Sequence, residues 1–196
     1  MQKIVLASHN KGKLYEFDSL FKPLKIKLIP QSTLKVPNCD EPFVTFVENA
    51  IHKARHCSKH TGLPTIADDS GICVPALNGA PGVYSARYAG THGNDTQNIE
   101  KLLEDIKSHE NRDAYFYCVL VFLRHANDPQ PIIADGKAYG QITFSSRGNN
   151  GFGYDPIFYL PEYTQTFAEI PLELKNKISH RAIALNKLIN QIQEEF

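Results

Sequence analysis

The stretch that most restricts the fold is AYFYCVLVFLR, from Ala114 to Arg124. It is rich in Tyr, Phe, Val and Cys, residue types that favour β-strands. It also lacks the clean alternation of apolar and polar residues that marks a strand with one face in water. A strand of this kind is usually buried on both faces, as in sheets that are covered by helices.

Helical and strand patterns are interspersed along the rest of the chain. Apolar residues recur at three- and four-residue steps from Phe43 to Cys57, which predicts an amphipathic helix that stops near Gly62. We also predict helices at Lys11–Phe21, Asn98–Lys107 and Ser179–Ile192, and strands at Ile4–Ala7, Lys25–Ile29, Thr65–Asp69, Ile72–Pro75, Pro131–Ala138 and Tyr139–Phe144. This order predicts an α/β fold with a mixed sheet, and we expect a single domain over residues 1–196.

The composition limits the partners that the chain can have. Lys and Arg together number 21, as do Asp and Glu, so the formal net charge is zero. Proteins that bind DNA or RNA usually carry a basic excess, so we expect no nucleic-acid partner, although a local basic pocket for a phosphorylated small molecule remains open. The apolar runs are shorter than the ~18 residues that a membrane span needs, so we expect no membrane partner.

The four cysteines, Cys39, Cys57, Cys73 and Cys118, are far apart in sequence. None forms a C-x-x-C pair, which argues against a zinc site. Their spacing and the absence of a signal peptide lead us to expect reduced thiols and a cytoplasmic location.

Two adjacent carboxylates interrupt the apolar stretch TIADDSGICV, which runs from Thr65 to Val74. Asp, Ser and Gly are turn formers, so Asp68 and Asp69 could belong to a turn between two short strands. If they lie on a strand, they point to opposite faces and only one can readily face a given cleft. The other must then be hydrogen-bonded, because a buried carboxylate without partners is costly.

Three further stretches place cations and carboxylates beside predicted helices. SHNKGK precedes the first helix, and the free N–H groups at a helix start favour anions, although a capped helix with solvated lysines is the simpler interpretation. Lys53 lies on the flank of the helix that follows Asp40 and Glu41. Either carboxylate could meet an aspartate of the acidic stretch, and Mg²⁺ is often held by one or two carboxylates plus substrate phosphates.

Two stretches near the C-terminus could bind a base. GFGYDPIF offers the aromatic faces of Phe152 and Tyr154 for stacking and the carboxylate of Asp155 as an acceptor for ring N–H groups. KNKISHR places Ser179, a plausible N-cap, next to cationic donors. An ordinary Gly-aromatic turn and a capped helix with surface cations are the alternatives.

Together, IVLASHNKGK, FVENAIHKA, ADDSG, GAPGVYSARYAG, GFGYDPIF and ISHRAIAL resemble the inosine triphosphate pyrophosphatase family, the dITP/XTP pyrophosphatases, over nearly the whole chain. The resemblance implies an elongated α/β fold with two lobes and a central cleft, usually as a homodimer. It implies Mg²⁺-dependent cleavage of purine nucleoside triphosphates such as ITP, dITP and XTP into the monophosphate and pyrophosphate. Family members often have Thr-Gly-Asn where this chain has Ser-His-Asn, which leaves the role of the His9 side chain open.

The resemblance also implies roles for single residues. Asp69 would be the catalytic carboxylate and would form a Mg²⁺ site with Glu41, and Asp68 would support the site from behind. The substrate-binding residues would be Ser8, His9, Asn10, Lys11, Gly12, Lys13, Lys53, Ser70, Phe152, Gly153, Tyr154, Asp155, Lys175, His180 and Arg181.

Side-chain chemistry suggests how the base would be chosen. Arg181 can only donate hydrogen bonds and ionised Asp155 can only accept them, which matches a 6-oxo purine and opposes adenine. Two other function classes stay open from the sequence alone. A metal-dependent phosphatase would release orthophosphate, and a non-catalytic nucleotide sensor would bind ITP without turnover.

Overall fold

Seven strands form one mixed sheet in the computed structural model, which describes residues 3–22 and 26–195. They are β1 (Lys3–Ala7), β2 (Lys27–Pro30), β3 (Thr65–Cys73), β4 (Asp113–Leu123), β5 (Ile132–Ile142), β6 (Phe158–Leu160) and β7 (Gln165–Thr166), in the sheet order β2-β1-β3-β4-β5-β6-β7. β1 is parallel to β2 and β3, whereas β6 is antiparallel to β5 and β7. The predicted α/β class and mixed sheet are confirmed.

The helices are α1 (Lys11–Phe21), α2 (Phe46–Thr61), α3 (Asp95–Asp105), α4 (Leu172–Ile178) and α5 (His180–Glu195). α1 has the predicted bounds, and it begins where the Asn10 side chain accepts a hydrogen bond from the Lys13 amide at 3.0 Å. α2 ends at Gly62, as predicted, because this glycine adopts a φ of 67°. No helix in the described part of the chain is both long and apolar enough to cross a bilayer.

The chain divides into two compact units, each with a core of its own. The first comprises Met1–Asp69, Cys118–Gly136 and Arg181–Phe196, and the second comprises Ser70–Tyr117 and Lys137–His180. Side chains such as Phe17 and Leu120 fill the first core, and Leu102 and Phe158 are among those that fill the second. The single-domain organisation of residues 1–196 stays a prediction.

The acidic stretch is not a turn, which corrects the prediction of two short strands around it. β3 continues from Thr65 to Cys73, and eight of its nine residues are buried. Gly71 allows this because a Cβ atom there would lie 2.4 Å from the carbonyl oxygen of Gly82. The adjacent aspartates are tolerated in a buried strand because cationic side chains bind them. A local turn preference depends only on neighbouring residues and therefore does not include these partners.

Other boundaries also differ from the prediction. Residues 132–142 form one strand rather than two, and α3 begins three residues earlier than predicted. Ser179 is the C-cap of the unpredicted helix α4 and stands directly before α5, which begins at His180 rather than at Ser179. β6 and β7 have only three and two residues, too few for a periodic pattern. Lys25, the first residue of the predicted second strand, lies outside the described residues.

Candidate active site

The loop between β1 and α1 is held by its own short side chains. Ser8 is buried and its hydroxyl accepts a hydrogen bond from the Asn10 amide at 3.2 Å, while the Asn10 side chain caps α1. His9 and Lys11 are exposed, and Gly12 is half-buried. The loop therefore presents exposed polar groups at a capped helix start, which suits an anion.

Asp68 lies at the centre of a neutral network in the first unit. Its Oδ1 atom forms an ion pair with Lys13, and its Oδ2 atom accepts hydrogen bonds from Arg181 Nε and Cys118 Sγ, both at 3.1 Å. Arg181 is also ion-paired with Glu16. Burial alone would raise the pKa of Asp68, but Lys13 and Arg181 hold it well below its ordinary value. Asp68 is thus a buried, ionised and fully engaged carboxylate.

Asp69 lies in a different network, as expected for the opposite face of a strand. Its Oδ1 atom is 2.7 Å from Lys53 Nζ, and Lys53 Nζ is also 2.6 Å from Glu41 Oε1. Burial raises the pKa of Asp69 above its ordinary value, although Lys53 opposes this effect. Burial alone would lower the pKa of Lys53, but Asp69 and Glu41 raise it, so the lysine stays protonated.

The Asp69 network has the features of a cation site. The Oδ2 atom of Asp69 is buried and has no hydrogen-bond partner. Two carboxylates share one ammonium group, so the three side chains carry a formal charge of −1. No group of three or more His, Cys, Asp or Glu side chains suited to a metal occurs among the described residues. Mg²⁺ does not need one, since one or two carboxylates plus substrate phosphates suffice, and Asp69 and Glu41 fit that pattern.

Asp155 organises a second cluster, in the second unit. Its Oδ2 atom accepts hydrogen bonds from the Phe152 amide at 2.9 Å and from Lys175 Nζ at 2.5 Å. Gly151 is required here, because a Cβ atom would lie 2.1 Å from that same oxygen. Lys175 Nζ also lies 5.1 Å from the centre of the Phe152 ring. Phe152 is half-buried, so the cluster combines an aromatic face, a donor and an acceptor.

The remaining predicted residues of the second unit have varied surroundings. Tyr154 is buried and its hydroxyl donates to the Ser85 carbonyl at 2.8 Å, so its ring belongs to the core. His180 is stacked on Phe116, with ring centres 4.7 Å apart. Ser70 and Gly153 are half-buried, and the Gly153 amide donates to Asp95 at 2.8 Å.

Arg181 and Asp155 form ion pairs with different side chains, and the contact of either one with a purine stays a prediction. The Arg181 guanidinium binds Asp68 and Glu16 in the first unit, whereas Asp155 binds Lys175 in the second. Asp68 and Glu16 also raise the pKa of Arg181 against the effect of burial. The donor beside Asp155 is therefore a lysine.

Sequence reasoning missed three residues that position these groups: Glu16, Ser85 and Asp95. Glu16 looked like one more charged residue of an amphipathic helix, although it stands directly before buried Phe17. Ser85 accepts from the Ile72 amide at 3.0 Å, and nothing in the motif GAPGVYSARYAG marked that contact. Their partners lie 13 to 165 positions away in sequence, beyond the reach of any local pattern.

Comparison with known proteins gives one consistent answer. The model of the Ham1 family matches residues 4–191. The dITP/XTP pyrophosphatase of Neisseria meningitidis serogroup B is 55% identical over 192 residues, which cover 97% of this chain and 96% of that protein. The dITP/XTP pyrophosphatase of Nitrosomonas europaea is 54% identical over 99% of this chain and 96% of its own length. A solved HAM1 protein from Coxiella burnetii is 49% identical, with a TM-score of 0.91 over 99% of this chain and 100% of that chain.

Proposed function

Because this chain belongs to the Ham1 family, we propose that it is a nucleoside triphosphate pyrophosphatase that hydrolyses dITP, ITP and XTP. The products are the nucleoside monophosphate and pyrophosphate, and the reaction removes non-standard purines from the nucleotide pool. The observation that carries the proposal at the site is the buried, unpartnered Oδ2 atom of Asp69, whose carboxylate shares Lys53 with that of Glu41.

Asp69 is the catalytic base in this proposal. Lys53 holds Oδ1, which leaves Oδ2 to accept a hydrogen bond from the attacking water and then its proton. The oxygen of the water bonds to the α-phosphorus while its proton passes to Asp69. The bond between the α-phosphorus and the bridging oxygen breaks, and the bridging oxygen leaves as part of pyrophosphate.

The cations of the first unit orient the triphosphate. Lys13, Lys53 and the loop Ser8–Lys13 neutralise and position the phosphate oxygens, which is most of what phosphoryl transfer requires. Asp69 and Glu41 would hold Mg²⁺, which when bound supplies further charge neutralisation on the phosphates. Asp68 keeps Lys13 in place from the opposite face of β3.

We assign base recognition to the cluster around Asp155. Phe152 offers a face on which any purine stacks, and Lys175 and Asp155 supply a donor and an acceptor beside it. A 6-oxo purine presents a carbonyl acceptor and an N1–H donor, so it can satisfy both groups. Adenine presents the reverse pattern, with an amino donor towards Lys175 and an unprotonated N1 towards Asp155.

A screen of product release tests the proposal. Pyrophosphate and orthophosphate are measured separately for ITP, dITP, XTP, ATP and GTP, with and without Mg²⁺. We expect pyrophosphate from the first three nucleotides, only with the metal present. An Asp69→Asn variant is the control for a contaminating activity, and its turnover should fall by a factor on the order of 10²–10⁴ while it melts like the wild type.

Each other outcome identifies a different function. Release of orthophosphate alone would show a phosphatase, and binding of ITP without any product would show a sensor. Either result would contradict the proposal.

We also propose a homodimer in the cytoplasm. The homodimer is what the family resemblance implies, and light scattering on the purified chain tests it through the mass in solution. The location agrees with the four free thiols, three of which are buried. Fractionation of cells that express a tagged chain tests the location.

A further inference from the structure

A cavity of about 700 Å³ beside α2, in the first unit, has a lining rich in cationic side chains. His52, Arg55, His56, Lys59, His125 and Asn127 supply its larger side chains, and the other lining residues are small. None of the lining residues is acidic. Because the whole chain is formally neutral, this positive lining is a local feature and not a reflection of the overall charge.

The cavity is separate from the candidate active site. Positions 52, 55, 56 and 59 recur at three- and four-residue steps, so they share one face of α2. Lys53, which binds Asp69, follows His52 by one residue and therefore lies about 100° further round the helix. None of the residues that line the cavity belongs to the proposed catalytic or base-binding groups.

Two full positive charges in the lining are uncompensated. Neither Arg55 nor Lys59 forms an ion pair with any residue that the structure describes, and both side chains are exposed. Most exposed cations on a helix are simply solvated, so their presence alone would mean little. Here they share a concave surface with three imidazoles, which distinguishes this lining from an ordinary solvated helix face.

Three carbonyl acceptors near the cavity are already occupied. The carbonyl oxygens of His56, Cys57 and Ser58 accept hydrogen bonds of 2.8, 2.9 and 2.8 Å from His60 Nδ1, Thr61 Oγ1 and the Gly62 amide. His56 Nε2 donates to the Pro37 carbonyl at 3.0 Å, which fixes the ring in place. These three carbonyls are therefore not available to a ligand, and the charged groups that the lining offers are the side chains of Arg55 and Lys59.

We propose that this cavity binds a small molecule that carries phosphate groups. Arg55 provides a planar fork that matches two phosphate oxygens, and Lys59 provides a point charge. The volume lies in the range of about 300–1,000 Å³ that is usual for small-molecule sites and exceeds what one phosphate fills. This proposal does not depend on the proposed function, since no catalytic residue takes part.

Inorganic pyrophosphate is the probe, used with EDTA so that the proposed Mg²⁺ site contributes little to binding. Imidazole resonances are followed by NMR, and those of His52, His56 and His125 are assigned with single His→Gln variants. We expect these signals to shift with saturable binding, while His92 and His109 of the second unit stay unchanged. Isothermal titration calorimetry then gives the Kd.

Charge-neutral variants decide whether the lining causes the binding. Arg55→Gln/Lys59→Gln should weaken binding by about tenfold or more, because it removes both charge-assisted contacts. Lys3→Gln/Lys27→Gln, which removes two exposed cations of the same unit outside the cavity, should leave the Kd within about twofold. Both variants should melt like the wild type, because all four side chains are exposed.

Three results would overturn the proposal. The first is the absence of saturable shifts at His52, His56 and His125. The second is an equal loss of affinity in both double variants, which would show a response to overall charge. The third is unchanged affinity in Arg55→Gln/Lys59→Gln, which would place the pyrophosphate elsewhere.

Discussion

At the level of single side chains, two neighbouring aspartates differ because their partners differ. Asp68 is engaged by Lys13, Arg181 and Cys118, whereas Asp69 keeps one oxygen without a partner. Alternation along β3 sends the two side chains to opposite faces, and that alone gives them separate surroundings. The residue pair Asp-Asp therefore combines a structural ion pair with a candidate catalytic base.

Replacing each aspartate by asparagine separates these roles. We expect Asp69→Asn to lower kcat for pyrophosphate release by a factor on the order of 10²–10⁴, with little change in stability. Asp68→Asn leaves Lys13 and Arg181 without their shared carboxylate, so it should lower the free energy of unfolding by about 3–5 kcal/mol. Kinetics and urea unfolding on both variants provide the check. The reverse pattern would mean that the two faces of β3 have been assigned the wrong way round.

Arg181 is expected to act through the Asp68 network. Arg181→Met should lower the free energy of unfolding by about 3–5 kcal/mol, because Glu16 and Asp68 stay buried and lose a shared cation. Glu16→Gln/Arg181→Met should cost less than the sum of the two single variants, since it removes opposite charges together. Additive costs from urea unfolding would contradict a coupled network.

Lys175 is expected to select the base. Lys175→Met keeps an apolar stem against Phe152 but loses the donor, so we expect kcat/KM for ITP to fall far more than that for ATP. A site built on such hydrogen bonds can discriminate by about 10⁴, because a mismatched base leaves buried polar groups unpaired. Steady-state kinetics with both nucleotides measure the ratio. An equal fall for both would assign Lys175 to holding Asp155 in place.

At the level of helices and strands, β3 shows how a close contact overrides local preference. Gly71→Ala would place a methyl group 2.4 Å from the Gly82 carbonyl and the Ser85 hydroxyl, so we expect a loss of about 1–3 kcal/mol. Gly62→Ala is the matched control, since it meets no atom within 4 Å and carries only the cost of a positive φ, about 1 kcal/mol. Urea unfolding should rank Gly71→Ala as the more harmful change, and equal or reversed costs would contradict this packing.

The elements that the sequence predicted well are those specified by local rules. α1 and the Gly62 end of α2 follow from capping residues and apolar periodicity, which act over a few neighbouring residues. The acidic stretch was predicted as a turn because its lysine partners, Lys13 and Lys53, lie 55 and 16 residues away. Long-range ion pairs of this kind decide whether polar residues can remain in a buried strand.

The candidate site was predictable to a similar degree. The sequence predicted that an acidic residue before α2 meets one of the two aspartates. In the structure, Glu41 and Asp69 share Lys53. The sequence did not predict the partners of Arg181, because its neighbours Lys175 and His180 suggested a common cluster by proximity in sequence alone. The chain passes from the second unit to the first between His180 and Arg181, and no local pattern marks that crossing.

For the protein as a whole, the same buried network predicts how stability depends on pH. Burial alone would raise the pKa of Asp68, but Lys13 and Arg181 hold it well below the ordinary value of 3.8. The unfolded chain therefore binds a proton at Asp68 at a higher pH than the folded chain does. The stability that this carboxylate contributes is fully present above the unfolded pKa and is lost as the pH falls below it.

We expect the free energy of unfolding to fall steadily from about pH 5 downward, with Asp68 as one of the main causes. Asp68→Asn has no proton to take up at this position, so its stability should depend less on pH between about 5 and 2, although it is lower at neutral pH. Urea unfolding of both proteins across this range measures the two slopes. Glu110→Gln, which alters an exposed carboxylate in the loop between α3 and β4, should keep the wild-type slope. If Asp68→Asn also keeps that slope, the acid sensitivity arises from other carboxylates, and the Lys13–Asp68–Arg181 network does not determine it.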